Sequence, residues 1–167
     1  ISNWPVAAVK EANRIAREKE QTGFKAVQPP YNMFDRKAEN DAFKLAKEGL
    51  GCAVYFPLAQ GVLAGRYSSV SNVPGDSRAA NPTAGQVIKA VGCLTEENLS
   101  KVVRMKVLAE NMGLTMAQLA LAWILRRKEV STILVGSSKP EQLMDNVKAS
   151  GVTVPDDVLA EIEAILA

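Results

Sequence analysis

Three short apolar segments, separated by segments with helical periodicity, constrain the fold of this chain more than any other feature. Their sequences are FKAVQ (24–28), GLGCAVYF (49–56) and STILV (131–135). Pro29 and Pro30 end the first segment, because proline cannot donate to a strand ladder. The second segment is a nearly continuous apolar run, which is typical of a strand that is covered on both faces, and the third is also predicted to be a buried strand. Strands that alternate with helices predict βα units on a parallel sheet, which is an α/β fold.

Apolar residues that recur every three to four positions predict the helices between the strands. The first such pattern follows Pro5, and Asp35 is expected to cap a second helix. Further helices are predicted to begin near Thr95, Thr115, Pro140 and Pro155. The connection from 57 to about 93 is rich in Gly, Pro and Ser, and a loop of this length is usually functional or disordered.

The composition favours one ordinary domain that spans residues 1–167. Hydrophobic residues make up 47% of the chain, which is enough to bury a core. A net charge of +2 predicts neither a nucleic-acid partner nor a membrane partner. No apolar run has the length of a membrane span and no signal-peptide pattern opens the chain, so we expect a soluble, cytoplasmic protein.

The chain contains no histidine and two cysteines, Cys52 and Cys93. A Ser-His-Asp triad, a histidine general acid and a histidine-ligated metal are therefore excluded within this chain. The two cysteines lack the spacing of metal ligands, so no metal site is predicted. Two cysteines in apolar or turn contexts also favour a reducing, intracellular setting.

Three polar motifs accompany the predicted strands, and a fourth opens the chain. They are VQPPYN (27–32), VYFPLAQGVLAGRY (54–67), ILVGSSKPEQLMDN (133–146) and ISN (1–3). In this order and at these spacings, they resemble the C-terminal half of the aldo-keto reductases, especially the branch with potassium-channel β subunits and related bacterial reductases. The resemblance covers essentially the whole chain.

The resemblance implies both a fold and a function. The family fold is a (β/α)8 TIM barrel, and this chain would be half of it, with parallel strands 6–8 and their flanking helices. Such a barrel typically needs about 250 residues, and this chain opens where a strand would be ending, so we expect a truncated barrel. The family binds NADP(H) across the rim formed by the carboxyl ends of the strands, and it reduces carbonyls by hydride transfer. The segment 57–93 would be the long cofactor loop.

The resemblance assigns several groups of residues to NADP(H). Ser2, Asn3 and Gln28 would hydrogen-bond the nicotinamide carboxamide, and Tyr55 would stack on the nicotinamide ring. The loop after the second strand and two arginines would hold the pyrophosphate, and the loop and helix after the third strand would hold the 2′-phosphate and adenine. The residues of the pyrophosphate group are Pro57, Leu58, Ala59, Gln60, Gly61, Arg66 and Arg78, and Phe56 before them would contribute main-chain contacts to the cofactor. Those of the 2′-phosphate and adenine groups are Gly136, Ser138, Lys139, Gln142, Asp145 and Asn146.

This sequence departs from the family pattern at several places. Phe56 stands where the family usually has a small hydroxyl residue, and Asp145 is shorter than the Glu often found there. The catalytic Asp, Tyr, Lys and His of the family all belong to the first half of the barrel. Tyr31 and Tyr67 do not match the catalytic positions, so no catalytic residue is predicted in this chain.

Two functions remain open from the sequence. The chain is either the NADP(H)-binding half of an aldo-keto reductase, inactive alone, or a non-catalytic half-barrel that pairs with itself or with another chain. A half-barrel has open strand edges, so we expect self-association or a complementary half-barrel, together with weak NADP(H) binding. Each predicted contact also has an ordinary alternative, such as a turn residue for Asn3 or a solvated helix face for Gln142.

Overall fold

Short strands and helices alternate along the chain in the structure, a computed structural model that describes residues 1–167. The three strands, β1 to β3, are Ala26–Val27, Gly51–Val54 and Thr132–Ile133. The seven helices, α1 to α7, are Val6–Glu18, Ala42–Lys47, Pro82–Val91, Glu96–Asn111, Met116–Leu125, Pro140–Val147 and Asp156–Leu166. There are also three 3₁₀ segments, which are Lys37–Glu39, Ala59–Ala64 and Arg78–Ala80.

The three strands form one sheet in the order β1-β2-β3, and both pairings are parallel. Ala26 lies opposite Gly51, and Ala53 lies opposite Thr132. Isolated bridges continue the pairing beyond β1, from Ser2 to Gln28 and from Pro30 to Tyr55. The predicted α/β class and parallel sheet are confirmed, although the strands are shorter than the apolar segments. Because all strands run in one direction, their carboxyl ends meet at one edge of the sheet.

Only one face of the sheet is buried. Cys52 and Val54 of β2 are fully buried in the core, whereas Gly51 and Ala53, which point to the opposite face, are half-buried. Thr132 of β3 is exposed. The prediction that the strand within 49–56 is covered on both faces is therefore wrong for this chain, because little of the chain packs against the second face.

One helix prediction also needs correction. Asp41, not Asp35, is the cap of α2, because its carboxylate accepts a hydrogen bond from the Ala42 amide. Asp35 instead accepts a hydrogen bond from the Lys37 amide, at the start of a 3₁₀ turn. The predicted caps Thr95 and Thr115 are confirmed, and each hydroxyl accepts a backbone amide hydrogen bond three residues later.

The segment 57–93 is not one irregular loop. It contains two 3₁₀ segments and the ten-residue helix α3. Asn81 caps α3, Pro82 takes its first position, and Gly92 ends it in the left-handed conformation at φ 67°. These are ordinary start and stop signals, and the high content of Gly, Pro and Ser around them obscured the helix.

An aromatic and ionic cluster ties the C-terminal helix to the segment after β1. Trp123 of α5 stacks on Tyr31 with ring centroids 5.5 Å apart, and the Arg126 guanidinium lies 3.7 Å from the Trp123 ring centroid. The Tyr31 hydroxyl donates to the Glu39 carboxylate at 2.7 Å, and Arg36 pairs with both Glu39 and Glu163 of α7.

Burial raises the pKa of the Tyr31 hydroxyl, so it remains a donor. Burial also acts to raise the pKa of Glu39, but the hydrogen bonds from Arg36 and Tyr31 outweigh it, and this pKa lies below its ordinary value.

None of the helices is by itself long and apolar enough to cross a membrane, and α4 and α5 reach those limits only as a pair bent by 86°.

Replacement of Glu39 by Gln is expected to lower the free energy of unfolding at neutral pH by about 1–3 kcal/mol, because Arg36 then faces a neutral partner. Since the folded-state pKa of Glu39 is lowered, its contribution is present above the unfolded pKa of about 4.3 and is lost as the pH falls through the folded pKa. The difference between wild type and Glu39→Gln, measured by urea unfolding, should therefore shrink in acid. Glu161→Gln, an exposed position on α7, is the matched control. Equal losses in the two variants would contradict the assignment.

Candidate functional site

Polar and aromatic side chains gather where β1 and β2 end. The Ser2 hydroxyl donates to the Gln28 carbonyl at 2.9 Å, and the Gln28 amide donates to the Ile1 carbonyl at 2.8 Å. The Asn3 side chain exchanges hydrogen bonds with the Tyr55 hydroxyl, at 3.1 and 3.3 Å. The structure thus brings Ser2, Asn3, Gln28 and Tyr55 together at one edge of the sheet, with the Tyr55 ring half-buried.

A strained turn follows Tyr55. Phe56, Ala59 and Gln60 have φ values of 57°, 45° and 59°, and Gly61 has 100°. We call residues 56–61 the left-handed loop. Left-handed conformations cost of order 1–3 kcal/mol each in residues other than glycine, and they cluster at ligand-binding sites. The Asn32 side chain supports this loop by donating to the Phe56 carbonyl at 3.0 Å.

Two arginines flank the left-handed loop in different states. Arg66 forms an ion pair with Asp76 at 2.7 Å, and this hydrogen bond holds the pKa of Asp76 below its ordinary value. Arg78 donates to the Gln60 side-chain oxygen at 2.7 Å. The other terminal nitrogen of Arg78 would lie 3.2 Å from a Cβ atom at Gly136, so the segment after β3 passes directly beside it. Arg78 therefore connects the left-handed loop to the carboxyl end of β3.

At the start of α6, the helix that follows β3, a side chain of the helix itself occupies the free backbone amide. The Ser138 amide and hydroxyl both donate to the Gln142 side-chain oxygen, at 3.0 and 3.3 Å. Lys139 is the residue that precedes α6, its side chain caps nothing, and it is exposed. An anion at this helix start would have to displace Gln142 from the Ser138 amide.

Asp145 already has donors within the chain. The Gln118 side-chain nitrogen donates to a carboxylate oxygen of Asp145 at 2.9 Å and to its backbone carbonyl at 3.1 Å. The Thr115 hydroxyl donates to the other carboxylate oxygen at 3.4 Å. The predicted contact of Asp145 with adenine stays a prediction, and it has to coexist with these bonds.

Sequence reasoning missed three residues that organise this edge, namely Gln118, Asp76 and Tyr67. Gln118 is buried and completes a capping box with Thr115 at the start of α5, a pattern visible as Thr-x-x-Gln. Asp76 is an exposed loop carboxylate with no sequence signal for its pairing. The Tyr67 hydroxyl donates to the Gln60 carbonyl at 3.1 Å. Tyr67 lies outside any helical pattern in the sequence, so periodicity could not predict this contact.

An open groove of about 370 Å³ adjoins the same edge between α1 and α2. Asn3, Trp4 and Gln28 line it together with Pro29 and Pro30. Amide side chains line this groove, and the half-buried Tyr55 and the Arg78 guanidinium lie outside it, farther along the rim that the strand ends form. Chemically, such a rim suits a ligand that carries a planar amide-bearing ring at one end and anionic groups farther along.

Comparison with known proteins places the whole chain in one family. The family model described as "Aldo/keto reductase family" matches residues 1–167. A probable voltage-gated potassium channel subunit beta of Oryza sativa subsp. japonica is 35% identical over 99% of this chain and 51% of its own length. The L-glyceraldehyde 3-phosphate reductase of Escherichia coli O157:H7 is 37% identical over 84% of this chain and 41% of its own length. The chain spans about half the length of the curated relatives that it matches.

Replacement of Gln118 by Ala should loosen α6 selectively, because it removes both hydrogen bonds from the Gln118 side chain to Asp145 and one half of the capping box of α5. We expect a loss of about 1–3 kcal/mol in the free energy of unfolding. Faster amide hydrogen exchange within α6 should accompany this loss. Gln142→Ala, which removes the contacts to Ser138 but not those to Asp145, is the control for α6 itself. Unchanged exchange in α6 of the Gln118 variant would show that this clamp is unimportant.

Proposed function

The chain belongs to the aldo/keto reductase family, and we propose that it is the NADP(H)-binding half of a carbonyl-reducing oxidoreductase of that family. The family and branch that were inferred from the sequence motifs are confirmed. One observation carries the proposal. The carboxyl ends of three parallel strands place Gln28, Tyr55 and Gly136 on one rim, and the left-handed loop and Arg78 connect the second and third of these ends.

The nicotinamide would bind where β1 and β2 end. Its carboxamide needs both a donor and an acceptor, and the side chains of Asn3 and Gln28 offer both. The ring would stack on Tyr55, which is held by its hydroxyl bond to Asn3. A fixed aromatic face excludes water from one side of the nicotinamide and leaves the other side open for hydride transfer, the chemistry that bound NADPH supplies.

The pyrophosphate would pass over the left-handed loop. Left-handed and small residues leave room for a close approach, and the amides of such turns point towards anions. Arg78 already lies between this loop and Gly136, so its guanidinium is placed for a phosphate. Arg66 would exchange Asp76 for the ligand, because both side chains are exposed and water screens their pairing.

The 2′-phosphate and adenine would lie at the start of α6. Lys139 would supply a positive charge to the 2′-phosphate, the group that NADPH carries and NADH lacks. Ser138 would supply an amide and a hydroxyl once the Gln142 side chain turns away. Asn146 and Asp145 lie half-buried on the same helix. Asp145 would keep its bonds to Gln118, so that its role is to hold α6 as well as to face the base.

The family's catalytic tetrad belongs to the first half of the barrel, so we propose that a complementary half-barrel supplies it. The substrate would be an aldehyde or ketone, as the family description indicates, and the Escherichia coli relative is named for an aldehyde, L-glyceraldehyde 3-phosphate. Two features of the chain support a complementary half. β3 forms one edge of the sheet with no strand beyond it, and α6 presents apolar side chains to solvent.

The amphipathic character of α6 is inverted. Its polar residues Gln142, Asp145 and Asn146 are half-buried, whereas Leu143, Met144 and Val147 are 45%, 66% and 57% exposed. A surface helix of a globular protein normally buries its apolar face. This observation also favours the second candidate function, in which the chain is a non-catalytic assembly protein that pairs through β3 and α6 with itself or another chain.

Titration with NADPH tests the cofactor proposal. We expect saturable binding by calorimetry, with a change in the fluorescence of Trp4, which lines the groove beside the proposed nicotinamide position. Lys139→Met should weaken NADPH binding about tenfold and NADH binding less than about twofold, because a lost charged contact to phosphate costs about 1.4 kcal/mol or more. Lys128→Met, at an exposed lysine outside the rim, is the control. No binding of NADPH at millimolar concentration, or equal effects of Lys139→Met on both nucleotides, would refute the proposal.

Sedimentation tests the proposed pairing surface. The unmodified chain is expected to self-associate, and Met144→Lys should shift it towards monomer, because a charge on the apolar face of α6 cannot be buried cheaply. Val103→Lys on α4 is a matched control, since Val103 and Met144 are both 66% exposed. A wild-type chain that sediments as a monomer at all concentrations would count against pairing. So would identical effects of the two substitutions.

A further inference from the structure

We propose that Tyr67 is a positioning residue for dinucleotide binding, which acts on the ligand through the left-handed loop. This inference rests on the proposed function, because the loop is the proposed pyrophosphate site. Tyr67 lies six residues beyond Gly61, the last residue of that loop, and is nearly fully buried. It is therefore placed under the loop, not among the groups that would face the ligand.

The contacts of Tyr67 fall on the two residues that give the loop its turn. Its hydroxyl donates to the Gln60 carbonyl at 3.1 Å. Its ring packs against Gly61, where an added Cβ would lie 3.4 Å from the ring edge and 3.5 Å from the hydroxyl oxygen. Gln60 has φ 59° and Gly61 has φ 100°, so both are left-handed. The hydroxyl bond satisfies the carbonyl of the strained residue and holds it in a conformation that a non-glycine residue rarely adopts.

Gln60 passes this constraint on to Arg78. The backbone of Gln60 is held by Tyr67, and its side-chain oxygen accepts a hydrogen bond from Arg78 at 2.7 Å. Arg78 in turn lies against Gly136, beyond the end of β3. Tyr67, Gln60 and Arg78 thus form a continuous chain of contacts from the buried side of the loop to the rim. The position of the Arg78 guanidinium consequently depends on a hydroxyl group that does not itself reach the rim.

A merely structural role for Tyr67 leads to a different expectation. A core tyrosine stabilises the fold through its ring, and removal of its hydroxyl would affect stability without a specific effect on phosphate contacts. A positioning role requires that the hydroxyl matter more for ligand affinity than for folding. It also requires that its effect depend on Arg78, because the contact chain ends there.

The test is a double-mutant cycle with Tyr67→Phe and Arg78→Gln, read by calorimetric titration of the full chain with NADPH and by urea unfolding. Tyr67→Phe keeps the ring and should raise the NADPH dissociation constant by about fivefold or more, since one hydrogen bond is worth about 1 kcal/mol. In the Arg78→Gln background, the same change should have less than about a twofold effect. Tyr31→Phe is the matched control, because Tyr31 is also buried and its hydroxyl also donates to an acceptor, Glu39. It should lower stability and leave the dissociation constant unchanged.

The outcomes separate the two proposals. A wild-type chain that does not bind NADPH refutes the proposed function. A wild-type chain that binds, with Tyr67→Phe within about twofold of it or with fully additive effects of the two substitutions, overturns the positioning role alone. If Tyr67→Phe does not fold, Gly61→Ala decides the question, because it places a methyl group against the Tyr67 ring and strains the turn at φ 100°. That variant should show a similar loss of affinity, and unchanged affinity would overturn the role.

Discussion

Parallel pairing of β2 with both of its neighbours is the constraint on which the geometry of the rim depends. Backbone register alone places the residues after β1, β2 and β3 at one edge, before any side chain contributes. Gln28, Tyr55 and Gly136 would lie on different edges if any strand ran in the opposite direction. Ligands of parallel α/β sheets bind beyond the carboxyl ends of strands for this reason.

The left-handed loop converts that edge into a shaped surface. Phe56, Ala59 and Gln60 adopt conformations that are unfavourable for residues with side chains, and they persist because Asn32, Tyr67 and Arg78 hold the loop from several sides. Backbone strain of this kind is commonly found at ligand-binding sites. Beside the loop, the Arg66 guanidinium is held by its ion pair with Asp76.

The accuracy of sequence reasoning followed the range of the interactions involved. Local signals were sufficient for the existence of the three strands, the first of them followed by Pro29 and Pro30, and for the helices capped by Thr95 and Thr115. The motifs also identified the residues that meet at the rim, such as Asn3 with Tyr55. Other features depend on tertiary packing, so no local sequence pattern predicts them. They are the burial of one sheet face only, the left-handed conformation of Gln60 and the contact of Gln118 with Asp145. Helix α3 is a different case, because Asn81, Pro82 and Gly92 are ordinary signals for the start and end of a helix. The high content of Gly, Pro and Ser around them obscured the helix.

Hydrogen exchange with and without NADPH tests the central claim most directly, because it reads all parts of the rim in one measurement. A dinucleotide that extends along the rim should slow exchange in the left-handed loop and at the start of α6 together, while α1 beyond its first turn remains unchanged. Slowed exchange at both distant segments is the predicted result. Protection confined to one segment, or none at saturating NADPH, would contradict a single extended site.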